Sequence, residues 1–337
     1  MRKISQIKIK NLRGITNLTI KDCGNVNILV GRNGAGKTSI MEGIAFASMG
    51  NEPENFPGIV GLRGERNMHV AIQSLHNQNS TNIEINLVTA IGSYGTSIEP
   101  PTFYSQAIGG RPDGGPKLLK MVCRQTHPKR DGGKTTHRRE MTLTPSGVQM
   151  LGSADISCKR CIDSFFVSGR ATGTEADREV LSALTQADKI GELISMLALV
   201  EPVSDIRLTD DSIIVKAAGT MRPLKSMGDG FNRLFIIGGG LLLPRVELVL
   251  VDEIDSGLHP SLMGKFWKHL NTFLEKTGSQ IFCTTHNEQM IEAAVMALGA
   301  DEVRKIHVVK QNSKVSTVTL MGEDLRYEVE TGFATTP

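Results

Sequence analysis

Apolar residues alternate with polar ones near the start of the chain and merge into continuous runs further on, and each pattern predicts a different element. Between Ile4 and Ile20, Ile7 and Ile9 alternate with lysines, and Leu18 and Ile20 alternate with threonine, which predicts two short strands. Val26-Asn27-Ile28-Leu29-Val30 is a compact apolar strand leading into a glycine-rich turn. After Lys37 the spacing becomes helical, with Ile40, Ile44 and Ala47 on one face. Two prolines and three glycines between Asn51 and Gly64 end that helix.

From about 68 to 168 the pattern predicts mostly β structure, with strands at His69–Ser74, Ile83–Thr89, Leu118–Cys123, Glu140–Thr144 and Ser164–Val167. Asp177–Leu199 has helical periodicity, Ile213–Lys216 reads as a short strand, and Gly230–Leu243 as an apolar helix weakened by glycines 238 to 240. Leu248–Val251 and Ile281–Cys283 are unbroken apolar runs, as central parallel strands require. A helix over Leu262–Leu274 separates them, and Ile306–Val309 with Val315–Leu320 predicts a hairpin. The chain reads as α/β, with no internal repeat and no sustained heptads.

Composition narrows the partners. At 39% hydrophobic and 22% charged residues, with no apolar run near the roughly 20 residues of a membrane helix, the expectation is a cytoplasmic globular protein with no membrane contact. Five cysteines without a repeating spacing argue against a disulfide framework; Cys158 and Cys161 read as two ordinary thiols, because no second pair completes a zinc site. Residues 111–139 hold nine Lys or Arg against two Asp and no aromatic residue. That stretch suits either sequence-independent phosphate contact with DNA or a solvated basic loop.

The chemistry begins at Gly31-Arg32-Asn33-Gly34-Ala35-Gly36-Lys37-Thr38, a complete P-loop pattern set between a strand and a helix. Its backbone N–H groups are expected to cradle the phosphates of ATP, with Lys37 reaching the β- and γ-phosphates and Thr38 ligating Mg2+. The nucleotide-binding set runs on through Ser39. Asp252 and Glu253 follow the apolar strand Leu248–Val251, where Asp252 is suited to hold the metal and Glu253 to activate water. Strand order places His286, after Thr284 and Thr285, near the γ-phosphate as a sensor.

These residues together resemble the ABC-type ATPase heads of the SMC, RecF and OLD group, with the nearest likeness to OLD-like AAA family ATPases. The order matches: Ile7-Lys8-Ile9-Lys10-Asn11-Leu12-Arg13, the P-loop, Ser226-Met227-Gly228-Asp229-Gly230, Val251-Asp252-Glu253 through Ser261, then Thr284-Thr285-His286-Asn287. The Leu258-His259-Pro260 variant separates the chain from RecF and SMC heads, which carry aspartate after that leucine. The resemblance implies a P-loop NTPase with a mixed central sheet and an added antiparallel β subdomain. It implies one head over 1–337, with a nucleotide core at 1–60 and 201–337 and a β-rich, then helical, insertion at 61–200.

It also implies that Ser226, Gly228, Asp229 and Gly230 form a signature motif that meets the γ-phosphate held by a second copy. Arg13 is placed near the nucleotide and Asp255 to His259 at the dimer interface, with Arg63 a further arginine after the first helix. Gln73 and Gln125 are both candidates for the glutamine that helps hold Mg2+. Lacking a heptad arm, and with about fifty residues after His286, the chain is expected to be a head without coiled coil or nuclease domain. The leading expectation is an ATP-hydrolysing switch that dimerises and regulates a separately encoded effector in bacterial or phage-related defence. The alternatives are a RecF-like DNA clamp using the basic stretch, and a scaffold that binds ATP without hydrolysing it.

Overall fold

The computed structural model describes residues 2–49, 59, 68–76, 81–105, 117–129, 133–144, 147–150, 162–168, 175–210 and 212–332. In chain order the elements are β1 (Ile4–Leu12), β2 (Ile15–Ile20), β3 (Val26–Val30), α1 (Lys37–Met49), α2 (Met68–Gln73), β4 (Ile83–Thr89), β5 (Gly92–Ile98), β6 (Thr102–Ser105), β7 (Lys117–Pro128), β8 (Lys134–Thr144), β9 (Gly147–Met150) and β10 (Ser164–Val167). Then follow α3 (Glu175–Gln186), α4 (Ile190–Leu197), β11 (Val203–Leu208), β12 (Ile213–Ala217), β13 (Thr220–Pro223), α5 (Asp229–Leu242), β14 (Leu248–Val251), α6 (Pro260–Thr277), β15 (Gln280–Thr284), α7 (Glu288–Leu298), β16 (Val303–Gln311), β17 (Lys314–Leu320) and α8 (Gly322–Glu330).

The central sheet has the order β10-β14-β15-β3-β16-β17, parallel throughout except for the β16–β17 hairpin. Strands β3, β14 and β15 are buried on both faces, which accounts for their continuous apolar sequences. An antiparallel sheet, β2-β1-β4-β5-β7-β8-β9 with β6 on β7, forms a second layer, and β11-β12-β13 form a small third sheet. Helix α1 lies between the two large sheets. Its Ile40, Met41, Ile44 and Phe46 share one core with Ile7, Ile9 and Leu87 of the antiparallel sheet and with Leu29, Leu250 and Phe282 of the central one. The opposite face of the central sheet, Val26, Ile28, Val249 and Ile281, packs against α5, α6 and α7.

A buried glutamine ties the layers together. The Gln280 side chain accepts from Ile4 N and donates to the carbonyls of Ile4 and Gly24, so β1, β15 and the approach to β3 share one amide.

Most predicted strands and helices stand where the periodicity puts them, with four departures. His69–Ser74 lies in a helix rather than a strand: Ile72 and Leu75 are buried at helical spacing while Val70 is exposed. The Asp177–Leu199 helix is two helices, broken where Asp188 adopts a left-handed φ of 56°. Glycines 238 to 240 leave α5 unbroken despite their low helix propensity, and they let it be approached. A Cβ on each would lie 2.6 Å from Met196 Sδ, 2.6 Å from Val180 Cγ1 and 2.2 Å from the Phe165 ring, so α4, α3 and β10 all lie directly on that helix. Strands β5, β6, β9, β11 and β13 and helix α8 carry too few periodic apolar residues to stand out from sequence, whereas α7 buries Met290, Ile291, Ala294 and Val295 at a legible helical spacing and is an element the expectations above do not include.

Candidate functional site

The P-loop is a turn that only glycines can complete. Gly31, Gly34 and Gly36 have φ of 143°, 75° and 114°, and a Cβ on Gly31 would sit 2.3 Å from the Val308 carbonyl oxygen. The chain thus turns tightly against β16 and enters α1 at Lys37, with Ile40 N donating to Gly36 O at 2.9 Å. Lys37 is buried, and its Nζ donates to the loop carbonyls of Gly31 at 2.8 Å and Arg32 at 3.2 Å. Burial lowers the Lys37 pKa from its ordinary value, and nearby Asp252 and Glu253 partly oppose that shift.

Two neighbouring parallel strands deliver the remaining groups to the same edge, as open α/β sheets do at the carboxyl ends of their strands. Asp252 leaves β14, where its Oδ2 accepts from Thr38 Oγ1 at 3.3 Å and its Oδ1 from Thr284 Oγ1 at 2.5 Å. Glu253 has a left-handed φ of 53°, an uncommon conformation for a non-glycine residue. Its N–H donates to Thr284 Oγ1 at 2.8 Å, so one hydroxyl fixes both the Asp252 carboxylate and the Glu253 backbone. The segment beyond is anchored by Thr285 Oγ1 donating to Asp255 Oδ1 and by Ile254 N donating to Thr284 O at 2.9 Å.

Asn33, Gly34, Gly36, Lys37, Thr38, Ser39, Asp252, Glu253, Thr284 and His286 line one open cleft of about 200 Å3. Chain positions more than two hundred residues apart therefore converge on one site. The His286 pKa is lowered, by burial first and then by the Lys37 charge, while Asp255, Glu253 and Asp252 pull the other way. Backbone amides, a buried amine, a hydroxyl and a carboxylate at one mouth form the donor set that a polyphosphate with a divalent cation requires.

The signature segment lies outside this cleft. Ser226, Gly228 and Asp229 are exposed, and Gly228 (φ 86°) caps the start of α5. It meets the acidic segment backbone to backbone: a Cβ on Gly230 would lie 2.2 Å from Gly257 O, and Gly257 itself has a φ of 75°. Arg13 also lies away from the cleft lining. Its guanidinium donates to both Glu42 carboxylate oxygens, at 2.7 and 3.1 Å, and to Ser74 Oγ at 2.8 Å. Arg32 is exposed and contributes its carbonyl; Ala35 is buried beneath the loop. His259 caps α6, its Nδ1 accepting from Ser261 N, with Pro260 at the first helical position.

Neither Gln73 nor Gln125 lines the cleft. Gln73 is exposed at the end of α2, and Gln125 is buried on β7. In the basic stretch, Lys120 and Arg138 both pair with Glu140, and Arg124 pairs with Glu99. Arg63, Cys158 and Cys161, with Arg111 and Arg130 of that stretch, lie outside the described residues. No helix among the described residues is long and apolar enough to cross a membrane.

Arg233 escaped the sequence reading. It is buried on α5 and donates to the carbonyl oxygens of Ser168, Asp252 and Glu253. Its signal was a single cation inside the apolar run Phe231–Leu243, which amphipathic periodicity alone does not explain.

Comparison with known proteins adds family to geometry. An AAA domain family matches residues 6–151, and a second, described as "AAA domain, putative AbiEii toxin, Type IV TA system", matches residues 197–292. The chain is 30% identical over 115 residues to an ATP/GTP phosphatase of Helicobacter pylori, covering 32% of the chain and 31% of the phosphatase, so the chain spans about a third of that relative. It is 25% identical over 334 residues to the Septu protein PtuA of Bacillus thuringiensis, covering 91% of the chain and 78% of PtuA. The fold matches that of an Smc head domain with an extended coiled coil bound to the C-terminal domain of ScpA from Pyrococcus furiosus. The TM-score is 0.54 at 13% identity, over 98% of this chain and 99% of that one. A P-loop, an acidic strand end and a histidine brought to one cleft, under AAA-domain matches over residues 6–151 and 197–292, give the chain the fold of an ABC-type ATPase head.

Proposed function

We propose that this head is an ATP-driven dimerisation switch. The observation that carries the proposal is the separation of the signature from the cleft: the P-loop, Asp252, Glu253 and His286 share one cavity, while Ser226, Gly228 and Asp229 face solvent elsewhere. A second copy facing the first would bring its signature to the phosphates held by this one.

In this reading the loop amides and Lys37 bind the β- and γ-phosphates, and the Lys37 amine exchanges the carbonyls it now caps for phosphate oxygens. Thr38 and Asp252 would hold Mg2+, which supplies charge neutralisation on the phosphate oxygens. Glu253 orients and deprotonates the attacking water, and His286, in the same cleft, hydrogen-bonds the γ-phosphate region. The left-handed backbone of Glu253 supports its role, since strain of this kind gathers at functional sites. Hydrolysis then removes the group that both copies grip, and the dimer opens.

A separate effector completes the scheme. The likeness to Septu protein PtuA and the match described as a putative AbiEii toxin, Type IV TA system, support a partner-regulating role in bacterial or phage-related defence. The ion pairs made by Lys120, Arg124 and Arg138 leave the DNA-clamp reading with less free positive charge than the sequence suggests.

The test is light scattering with and without ATP and Mg2+. Glu253→Gln is expected to lower turnover by roughly 100-fold or more while trapping an ATP-dependent dimer. Ser226→Arg is expected to abolish that dimer and leave nucleotide binding intact. A Glu253→Gln protein that stays monomeric with saturating ATP would sink the proposal.

A further inference from the structure

We propose that Arg233 is the positioning residue for the Glu253 carboxylate, locking the backbone of residue 253 from the carbonyl side as Thr284 locks it from the amide side. The inference rests on the reading of Glu253 as the group that activates water.

Glu253 stands in a left-handed conformation that an L side chain rarely adopts unaided. Its N–H is taken by Thr284 Oγ1 at 2.8 Å, and its carbonyl accepts from Arg233 Nη2 at 3.2 Å. The same Nη2 donates to the carbonyl of Asp252, and Nη1 reaches the carbonyl of Ser168 just beyond β10. One planar fork therefore fixes both carboxylate-bearing residues at the end of β14 and ties them to the neighbouring strand.

The choice of residue is informative. Arg233 is 4% exposed among Phe231, Leu234 and Phe235, and no carboxylate lies within ion-pair distance of it among the described residues. A buried cation hydrogen-bonded to carbonyls, its desolvation only partly opposed by the charges of Asp252, Glu253 and Asp255, is an expensive way to fill an apolar helix face, where a leucine would pack at no electrostatic cost. What the arginine adds is directional hold on the backbone of Asp252 and Glu253.

Its location adds a coupling. Helix α5 starts within the signature segment, and the Gly230–Gly257 contact touches the far end of the loop whose near end Arg233 holds. Any displacement of α5 on engaging a second copy is thereby passed to residue 253 through a rigid helix rather than a flexible loop.

The experiment uses full-length Arg233→Met and Arg233→Lys, each alone and combined with Glu253→Gln, measuring ATP affinity, kcat and KM, with amide hydrogen exchange on each protein. Arg233→Met is expected to lower kcat about tenfold or more with ATP affinity changed less than about threefold. Arg233→Lys should recover part of that loss, since one ammonium reaches one carbonyl but not the set. In the Glu253→Gln background Arg233→Met should remove little further activity, because both act through one carboxylate. Exchange at 252–258 should accelerate while 31–38 is unchanged.

Three results overturn the proposal: an unchanged kcat in folded Arg233→Met, an effect confined to KM, or a full additional loss in the Glu253→Gln background. If Arg233→Met does not fold, Arg233→Lys carries the same kcat and exchange tests. Wild-type turnover in Glu253→Gln refutes the role of Glu253 itself. Exchange at 252–258 then decides the clamp separately: if it is unaltered in the Arg233 variants, the clamp is overturned.

Discussion

His286 and Lys37 share the cleft, and the ammonium of one helps decide the protonation of the other. Burial is the larger reason that His286 titrates below its ordinary 6.5, and the Lys37 charge is the second. The imidazole is therefore neutral at pH 7 and stays so somewhat below 6.5, free to accept or donate one hydrogen bond at each nitrogen. Because the folded value is depressed, the unfolded chain takes up the proton first. This residue's contribution to stability is thus full above pH 6.5 and is lost as pH falls from there through the folded pKa. An NMR titration should give a His286 midpoint below 6.5, and Lys37→Ala should move it upward. A midpoint at or above 6.5 in the wild-type protein would contradict this account. At this scale the sequence was legible where chemistry demands a fixed spacing, as in Gly31 to Thr38. It was silent where a long side chain reaches the backbone of a distant segment, as Arg233 does, because nothing near residue 233 in the chain encodes its partners at 168, 252 and 253.

Helix α5 sets two opposed preferences against each other. Replacing a mid-helix glycine by alanine in an open helix gains about 1 kcal/mol from propensity. At Gly240, however, the added Cβ would lie 2.2 Å from the Phe165 ring, and overpacking of that kind costs about 1–3 kcal/mol. Gly240→Ala is expected to be net destabilising in urea denaturation, and Phe165→Leu should reverse the sign by opening the space. A Gly240→Ala protein more stable than wild type would show that α5 and β10 are not in such close contact. The element scale also shows why periodicity misread two regions. Gly238–Gly240 looks like a defect until α3, α4 and β10 are placed over it. Over 69–74 a β-branched Val70 and Ile72 mimic strand alternation, whereas Ile72 and Leu75 are what a helix buries.

At the scale of the molecule, the outer layers follow the chain and the centre does not. Strands β4, β5, β7, β8 and β9 pair in near-sequential order, and of these the alternation of apolar residues marked β4, β7 and part of β8 but not the β5 and β9 that pair with them. The central order β10-β14-β15-β3-β16 mixes positions from 26 to 311, and apolar runs predict that such strands are interior without predicting their neighbours. The likeness to ABC-type heads added only that the central sheet is mixed and that an antiparallel β subdomain accompanies it, which the fold match bears out.

The position of β3 has a consequence for how the protein comes to exist on the ribosome. Its flanking partners are β15 and β16, which are synthesised some 250 residues later, and the Val308 carbonyl packs directly against Gly31. The phosphate-binding loop is among the first segments made, yet it has no platform until nearly all of the chain has emerged. Long-range parallel pairing of this sort forms slowly and leaves β3 open to wrong partners in the interval. A chain ending at residue 279 should fail to retain ATP on a filter and should be captured by chaperones, whereas the 337-residue chain should do neither; nucleotide retention by the shortened chain would show that the loop is assembled earlier. In the life of each molecule, nucleotide capture would then wait until β15 and β16 have emerged and paired with β3.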